Sequence, residues 1–367
     1  MQVNAAVLRE RNTPLVLEDI VLDEPRAHEV LVRIVATGIC HSDVSVINGD
    51  LPLPTPIILG HEGSGVVEAV GTRVTRVAKG DHVVLSFAYC GACVPCRTGH
   101  PVYCVSSAAM NLSGTRADGT TAYDSAQGSV HGHFVGQSSF ASHALVHETA
   151  AVKVDASAPL ETLAPLGCGI QTGAGTVLNL FRPEIGSTLA VTGTGPVGLS
   201  GIMAAHLAGC ATIIAVDVSE SRLALARELG ATHTINGSAG GLAEALRDAT
   251  KGAGVNYILD TTGNGDVMAA GYGALSTRGR LGLVGVSPAG TRIDMDPWTI
   301  LGGRSIEGNM EGDVVPDVFI PYLIEMNRQG RFPFEKMITQ CGGLTDLNEA
   351  IDASRSARVV KAVITLD

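Results

Sequence analysis

The sequence is poor in aromatic residues, in basic charge and in long apolar runs. Phenylalanine, tyrosine and tryptophan together make up 4% of the 367 residues, so the cores must be built mainly from Val, Ala, Leu and Ile. The formal net charge of −11 argues against nucleic acid or an anionic membrane surface as partners. No apolar run is long enough to span a bilayer, and the N-terminus lacks a signal-peptide pattern. These absences predict a cytoplasmic protein with neither a nucleic-acid nor a membrane partner.

The stretch from Thr188 to Asp217 has the pattern of a dinucleotide-binding unit. An apolar run that suits a buried parallel strand leads into a G-x-G-x-x-G turn, a helix and a second apolar strand. Gly193 allows a tight turn, Gly195 lets the backbone approach a pyrophosphate, and Gly198 lets the helix pack closely on the strand. Pro196 lies in the first turn of that helix, where its missing N–H costs little. Asp217 follows about 20 residues later, where a carboxylate binds the adenosine ribose and repels a 2′-phosphate. The order of these features favours a dinucleotide site over an ordinary βα turn, and Asp217 favours NAD over NADP.

Eight cysteines in a cytoplasmic protein are better explained as metal ligands or buried thiols than as disulfides. Four of them lie in one short stretch without hydrophobic periodicity, separated by two, two and seven residues: Cys90, Cys93, Cys96 and Cys104. Four thiolates at this spacing predict a closed tetrahedral zinc site. The metal would stabilise a stretch that has no hydrophobic core of its own. An iron–sulfur cluster is the rival, but hydride chemistry needs no one-electron relay.

Three further candidate metal ligands are dispersed along the chain. Cys40 ends a strand, His61 follows a Leu-Gly pair, and Cys168 lies just before the dinucleotide-binding region. Two thiolates and an imidazole leave a fourth zinc position open, as a catalytic site requires. Each residue alone has a simpler explanation, since a lone cysteine is usually a small buried hydrophobe, as we expect for Cys210 and Cys341.

Two patterns divide the chain into an α/β protein with two domains. Short strands with glycine turns predict a β-rich, barrel-like region at the N-terminus, in which residues 105–139 form a long polar loop. From about Thr172, helical and strand patterns alternate, which predicts a Rossmann-type, doubly wound parallel sheet. The last strand is expected to return to the first domain. The predicted boundaries are 170–310 for the NAD-binding domain, and 1–169 with 311–367 for the catalytic domain.

These motifs resemble the zinc-dependent alcohol dehydrogenases of the medium-chain dehydrogenase/reductase superfamily. The run from Gly60 to Val67 (Gly-His-Glu-Gly-x-Gly-x-Val) resembles that family's zinc signature, and the four-cysteine stretch and glycine turn follow in the family's order. The resemblance covers essentially the whole chain and looks closest to the bacterial aryl (benzyl) alcohol dehydrogenases. It implies a GroES-like catalytic domain, NAD, two zinc ions per chain, and a homodimer or homotetramer.

The resemblance also implies roles for the residues around the dispersed ligands. Cys40, His61 and Cys168 would bind catalytic zinc, Glu62 would be a nearby acid able to exchange into the coordination shell, and Asp43 would orient His61. The remaining expected cofactor contacts are His41 and Lys361 at the pyrophosphate, Thr172 and Val197 at the nicotinamide, Arg222 with Asp217 at the ribose, and Val284 and Val286.

Ser42 matches the family's hydroxyl that takes the proton from the alcohol. Many animal-type members end this relay in a histidine three residues further on, where this chain has Ser45. The last proton step must therefore run through water, a ribose hydroxyl or His41.

The implied reaction is oxidation of a primary alcohol to the aldehyde with NAD, with zinc as a Lewis acid. An aryl or allylic alcohol suits the apolar residues proposed for the pocket, each of which could equally be core: Leu51, Phe87, Phe134, Val135 and Val286. A glutathione-dependent formaldehyde dehydrogenase is the runner-up, but Ala108 stands where its arginine is expected. A zinc-stabilised NAD-binding protein without turnover is a third reading, and such proteins usually lack the catalytic zinc ligands.

Overall fold

The computed structural model describes residues 1–288 and 290–366. The strands are β1 (Gln2–Leu8), β2 (Val16–Leu22), β3 (Glu29–Gly38), β4 (Ile57–Ile58), β5 (Gly63–Val70), β6 (His82–Leu85), β7 (Tyr123–Ser125), β8 (Gly128–Val130), β9 (His143–His147), β10 (Ala151–Val154), β11 (Thr188–Thr192), β12 (Thr212–Asp217), β13 (His233–Asn236), β14 (Val255–Asp260), β15 (Leu275–Leu283), β16 (Ser305–Gly308), β17 (Ile338–Gln340) and β18 (Lys361–Thr365).

The α-helices are α1 (His41–Asn48), α2 (Val94–Arg97), α3 (Ser107–Asn111), α4 (Leu160–Leu163), α5 (Gly169–Gly175), α6 (Pro196–Leu207), α7 (Glu220–Glu228), α8 (Leu242–Ala249), α9 (Gly265–Ala274), α10 (Pro316–Arg328) and α11 (Leu347–Arg355). A π-helix occupies Thr176–Phe181, and 3₁₀ helices occupy Pro101–Tyr103, Phe134–Gly136, Glu148–Ala150, Ala164–Gly167, Gly237–Ala239, Pro297–Gly302, Glu311–Asp313, Phe334–Met337 and Leu344–Asp346. Among the described residues, no helix combines the length and apolarity needed to cross a membrane.

Residue contacts group the chain into two units. The first unit contains Met1–Cys168, Val315–Tyr322 and residues 335–366, and the second contains Gly169–Val314 and Leu323–Phe334. The second unit thus includes the segment Leu323–Phe334, which lies in the catalytic domain of the sequence-based division. Leu323 and Phe332 in this segment are fully buried. Apolar periodicity alone does not say which of two cores such side chains join.

The first unit holds two sheets of mainly antiparallel strands. One sheet has the order β4-β1-β2-β7-β8, and the other has the order β10-β6-β5-β3-β18-β17 with β9 also pairing with β3. On β1, exposed and buried residues alternate from Gln2 to Ala5, whereas the rest of the strand, Ala6–Leu8, is buried throughout. The terminal strand β18 pairs with β3, so the predicted return of the tail is confirmed.

The second unit is a six-stranded parallel sheet with helices between its strands. The strand order is β13-β12-β11-β14-β15-β16, which in chain order is 3-2-1-4-5-6. Leu189, Ala190 and Val191 on the central strand β11 are fully buried, as the continuous apolar run predicts. The predicted α/β fold with a doubly wound parallel sheet and a separate β-rich domain is therefore confirmed.

Residues 105–139 are more structured than the predicted polar loop. They contain α3 and the hairpin β7–β8, and β7 extends the first sheet by pairing with the end of β2. These three-residue strands are too short to give a periodic hydrophobic signal in the sequence. They nevertheless contribute to the core, because Tyr123 is completely buried.

Arg116 anchors this segment to the first unit. Its side chain is 5% exposed, with Nε 2.7 Å from Oε1 of Glu29 and Nη1 2.7 Å from Oδ2 of Asp23. Nη1 also donates to the Thr121 carbonyl at 2.9 Å. A buried guanidinium needs such complete pairing because desolvation of the charge is costly.

We predict that Arg116→Met lowers the free energy of unfolding by about 3 kcal/mol, because it leaves the largely buried Glu29 carboxylate, whose side chain is 13% exposed, without its cation. The matched control is Arg26→Met, since Arg26 forms an ion pair with Asp118 in which both side chains are about half exposed. That change should cost less than about 1 kcal/mol. Urea unfolding of both variants is the measurement, and equal losses would contradict the anchoring role of Arg116.

Candidate active site

The three dispersed candidate ligands meet in the first unit. Cys40 precedes α1, His61 follows β4, and Cys168 follows the 3₁₀ helix Ala164–Gly167. Their ligand atoms all lie within 4.8 Å of one another, and His61 and Cys168 are buried. Residues separated by more than 120 positions therefore form one cluster with the two-thiol, one-imidazole donor set that zinc accepts.

Asp43 fixes two of these ligands at once. Oδ2 accepts a hydrogen bond from the Cys40 backbone N–H at 3.0 Å, and Oδ1 accepts one from the Gly60 N–H at 3.0 Å. Oδ1 also lies 3.1 Å from Nδ1 of His61. Nε2 of His61 is buried and has no hydrogen-bond partner among the residues that the structure describes. Because Asp43 engages Nδ1, Nε2 is the nitrogen available to a metal, so the cluster fits zinc.

The charges at the cluster favour the thiolate form of Cys40, which binds metals, and the imidazolium form of His61, which must lose a proton before it can bind one. A hydrogen bond with Cys168 lowers the pKa of the Cys40 thiol well below its usual value, although burial opposes this shift. Burial disfavours the charged form of His61, but Asp43 and Cys40 outweigh it and raise the pKa of the imidazole. A thiolate is thus favoured next to a positive charge, and the thiolate is the form that binds metals.

Glu62 and Lys361 form a buried ion pair in the first unit. Nζ of Lys361 lies 2.5 Å from Oε2 of Glu62 and donates to the Ile39 carbonyl at 2.9 Å. Burial raises the pKa of Glu62 to about 7, although the charge of Lys361 opposes the shift. A Cβ at Gly38 would lie 2.1 Å from Oε2 of Glu62, so only glycine leaves room for the pair. The ammonium of Lys361, predicted to face the pyrophosphate, is 2% exposed and neutralises Glu62.

The start of α1 carries the residues predicted to move the proton. Oγ of Ser42 lies 3.9 Å from Sγ of Cys40, which places the hydroxyl at the edge of the cluster. Ser45 is buried, whereas His41 is exposed. Of these two side chains only His41 reaches water.

The four-cysteine stretch forms a second cluster, and its ligand atoms also lie within 4.8 Å of one another. All four cysteines are free thiols, and the 3.4 Å between Sγ of Cys93 and Cys96 is far longer than a disulfide bond. Backbone N–H groups point at the sulfurs, from Cys93 to Cys90 at 3.4 Å and from Ser106 to Cys104 at 3.4 Å.

The pKa values within this cluster are spread apart. Backbone hydrogen bonds from Cys96 and Val105 lower the pKa of Cys93 to about 6. Burial, together with neighbouring thiols such as Cys93, raises the pKa of Cys96 to about 12. Four adjacent thiolates repel one another, and a divalent cation at their centre removes that repulsion. The cluster therefore fits a closed structural zinc site.

The glycine turn in the second unit matches its predicted geometry. Gly193 has φ of +87°, and a Cβ at Gly198 would lie 1.9 Å from the Gly193 carbonyl oxygen. A Cβ at Gly195 would meet no heavy atom of the described residues within 4 Å. The first and third glycines are thus required by the protein itself, whereas the second borders open space, as a pyrophosphate site needs.

Asp217 ends β12 next to this turn. Oδ2 accepts hydrogen bonds from the backbone N–H and the hydroxyl of Thr194 at 2.7 and 2.8 Å, and Oδ1 accepts one from the Ser219 N–H at 2.9 Å. Burial alone would raise the pKa of Asp217, but these donors outweigh it and lower the pKa. The carboxylate is therefore fixed and ionised at the end of the strand.

The other predicted cofactor residues are distributed over both units. His41 and Lys361 belong to the first unit, and the second unit contains Thr172 in α5, Val197 in α6, Arg222 in α7, and Val284 and Val286 after β15.

The predicted substrate-pocket residues differ in exposure. Phe87 and Phe134 are buried, Leu51 and Val135 are half-buried, and Val286 in the second unit is 78% exposed. The Phe134 ring packs edge-on against the His61 imidazole, with centroids 5.0 Å apart and planes at 80°. Phe134 therefore packs against a proposed metal ligand, and its side chain is fully buried.

Sequence reasoning missed Gln137 and Ser86, two buried polar residues near the ligands. Both act through hydrogen bonds to backbone carbonyls. Such contacts join residues far apart in the chain and leave no periodic or motif signal.

We predict that Cys96→Ser removes one zinc ion per chain and exposes the segment Cys90–Cys104 to proteolysis, because the metal replaces a core there. The control is Cys210→Ser, a buried lone thiol in the second unit, which should keep the full metal content. Metal analysis and limited proteolysis are the measurements. An unchanged zinc count in Cys96→Ser would show that the stretch holds no zinc.

The chain matches two families of known proteins and a characterised relative. Residues 26–156 match the family "Alcohol dehydrogenase GroES-like domain", and residues 196–327 match the family "Zinc-binding dehydrogenase". The chain is 40% identical to a geraniol dehydrogenase of Castellaniella defragrans, covering 99% of this chain and 98% of that protein.

Two solved structures are also similar over essentially their whole length. An alcohol dehydrogenase zinc-binding domain protein from Burkholderia ambifaria is 48% identical, with a TM-score of 0.97 and coverage of 100% of this chain and 99% of that chain. The benzyl alcohol dehydrogenase of Acinetobacter calcoaceticus is 41% identical, with a TM-score of 0.96 and coverage of 100% of both chains. The chain belongs to the zinc-dependent alcohol dehydrogenases of the medium-chain dehydrogenase/reductase superfamily.

Proposed function

We propose that this chain oxidises an aryl or allylic primary alcohol to the aldehyde with NAD⁺, in the reversible reaction RCH₂OH + NAD⁺ → RCHO + NADH + H⁺. The observation that carries the proposal is the cluster of Cys40, His61 and Cys168, in which three protein ligands leave one zinc position for a substrate oxygen. The names of two relatives, a geraniol and a benzyl alcohol dehydrogenase, support the substrate class, because both alcohols carry the CH₂OH group next to an unsaturated carbon.

The side chains around the cluster hold the ligands and move the proton. When bound, zinc supplies Lewis-acid stabilisation of negative charge on the substrate oxygen. Asp43 keeps Nδ1 of His61 occupied, so the ring presents Nε2 in one orientation. The Glu62–Lys361 pair is neutral as a whole and therefore adds little net charge next to the ligands.

Ser42 is the proposed proton acceptor, because its hydroxyl lies next to Cys40. A hydroxyl can accept the alcohol proton only if it passes its own proton on. His41 is exposed and Ser45 is buried, which favours His41 or water over Ser45 for that step. This departs from the relay histidine of many animal-type relatives.

NAD⁺, when bound, supplies the hydride acceptor. The turn from Gly193 to Gly198 would hold its pyrophosphate, since Gly195 borders open space and α6 begins directly after it. Asp217 would accept hydrogen bonds from the ribose hydroxyls and repel a 2′-phosphate, which supports NAD over NADP.

The glycine turn gives a paired test of the cofactor site. Gly195→Ala should weaken NADH binding at least about tenfold without changing thermal stability, because the added Cβ would meet no heavy atom of the described residues within 4 Å and φ of −71° suits alanine. Gly198→Ala should instead destabilise the second unit, because its Cβ would clash with the Gly193 carbonyl. NADH fluorescence titration and thermal unfolding separate these effects. Unchanged NADH affinity in Gly195→Ala would place the pyrophosphate elsewhere.

A panel of alcohols with NADH formation followed by absorbance tests the substrate class. Burying an aromatic ring removes about 150 Å² from water, a few kcal/mol at about 25 cal/mol per Å². If about 3 kcal/mol is expressed in the transition state, benzyl and cinnamyl alcohol should exceed ethanol by about 100-fold in kcat/KM.

Formaldehyde with glutathione is the competing substrate in the same assay. Faster turnover of S-(hydroxymethyl)glutathione than of benzyl alcohol would overturn the substrate class, while leaving the zinc and cofactor assignments in place.

A further inference from the structure

The segment from His133 to Ser138 has an unusual backbone. His133, Val135 and Ser138 have φ of +56°, +48° and +64°, and Gly136 between them has +74°. Positive φ is uncommon in non-glycine residues and is strained for a β-branched valine. This path places the Phe134 ring against the His61 imidazole and buries the Gln137 side chain completely. This segment therefore contacts the proposed ligand His61 twice, through the Phe134 ring and through the Gln137 side chain.

Gln137 binds the backbone on both sides of Glu62, the residue that follows His61. Its Nε2 donates to the His61 carbonyl at 2.7 Å, and its Oε1 accepts from the Gly63 N–H at 3.0 Å. The two bonds hold the main chain as it enters β5. The Gln137 amide thus fixes the backbone of His61, whereas the Asp43 carboxylate fixes the ring of His61.

The same amide connects to the segment of another ligand. Nε2 of Gln137 also lies 3.3 Å from the Ser86 carbonyl, and the Ser86 hydroxyl donates to the Gly167 carbonyl at 2.9 Å. Gly167 immediately precedes Cys168. Close packing maintains this contact, because a Cβ at Gly167 would lie 1.9 Å from the Leu85 carbonyl oxygen. One buried side chain therefore links the backbones that carry His61 and Cys168.

We propose that Gln137 is a positioning residue for the catalytic metal, which fixes the main chain at His61 directly and at Cys168 through Ser86. This inference rests on the proposed function, because it takes the Cys40–His61–Cys168 cluster to be the site of the reaction. Its effect is to hold two ligands in place before the metal binds. Glutamine suits the role because one amide both donates and accepts, whereas methionine does neither and glutamate has no N–H donor.

The test compares Gln137→Met with Ser139→Ala in the full-length holoenzyme. Ser139 belongs to the same buried region, and its hydroxyl lies 2.7 Å from that of Thr37. Ser139→Ala therefore removes a buried hydrogen bond that involves none of the proposed ligands. The measurements are the zinc content per chain, the rate of zinc loss to a chelator, and the visible absorption of cobalt(II)-substituted protein, which reports ligand geometry.

Gln137→Met should lose zinc from the Cys40–His61–Cys168 cluster about 10- to 100-fold faster, a typical effect of removing a partner that orients a ligand. Its cobalt spectrum should shift, and kcat for benzyl alcohol should fall more than KM rises. Ser139→Ala should match the wild type in zinc loss and cobalt spectrum. Gln137→Met with wild-type zinc retention and spectrum would overturn the proposal.

Ser86→Ala keeps the proposal testable if Gln137→Met does not fold. This variant removes the hydroxyl that donates to Gly167 and keeps the Ser86 carbonyl that faces Gln137. It should therefore also speed zinc loss, to a smaller extent, and wild-type behaviour would count against the proposal. A wild-type protein that holds zinc only in the four-cysteine cluster would instead contradict the proposed function. The two failures are therefore distinguishable.

Discussion

The carboxylate of Asp43 is the contact on which the proposed active site most depends. It accepts hydrogen bonds from the backbone N–H groups of Cys40 and Gly60 and contacts Nδ1 of His61. All three donor–acceptor distances are 3.1 Å or shorter. Removing this one group would release the helix start that carries the first ligand and the ring of the second. Because the carboxylate is fully buried, its negative charge is also a large local influence on His61.

The two cysteine-containing clusters differ in how they relate to the fold. The ligands of the Cys40–His61–Cys168 cluster come from three distant parts of the chain, and buried hydrogen bonds orient His61 and fix the carbonyl of Gly167, which precedes Cys168. Cys90, Cys93, Cys96 and Cys104 come from one short stretch in which none of the residues from Cys90 to His100 is buried. The first arrangement suits a site built for chemistry, and the second suits a metal that organises its own lobe.

Much of the fold and of the ligand set could be predicted from the sequence, because both follow from local patterns. The strand, glycine turn and helix from Thr188 to Leu207 lie within one continuous stretch, and the cysteine spacing is local as well. The resemblance to a family supplied the dispersed ligands. The Glu62–Lys361 pair, the packing of Phe134 against His61 and the contacts of Gln137 could not be predicted, because they depend on how separated segments pack.

The most direct test of this account is a crystal structure of the active protein with anomalous scattering measured at the zinc absorption edge. The account predicts two peaks per chain, one bounded by Sγ of Cys40, Nε2 of His61 and Sγ of Cys168, and one at the centre of the four-cysteine cluster. A single peak, confined to the four-cysteine cluster of a protein that still oxidises alcohols, would contradict it.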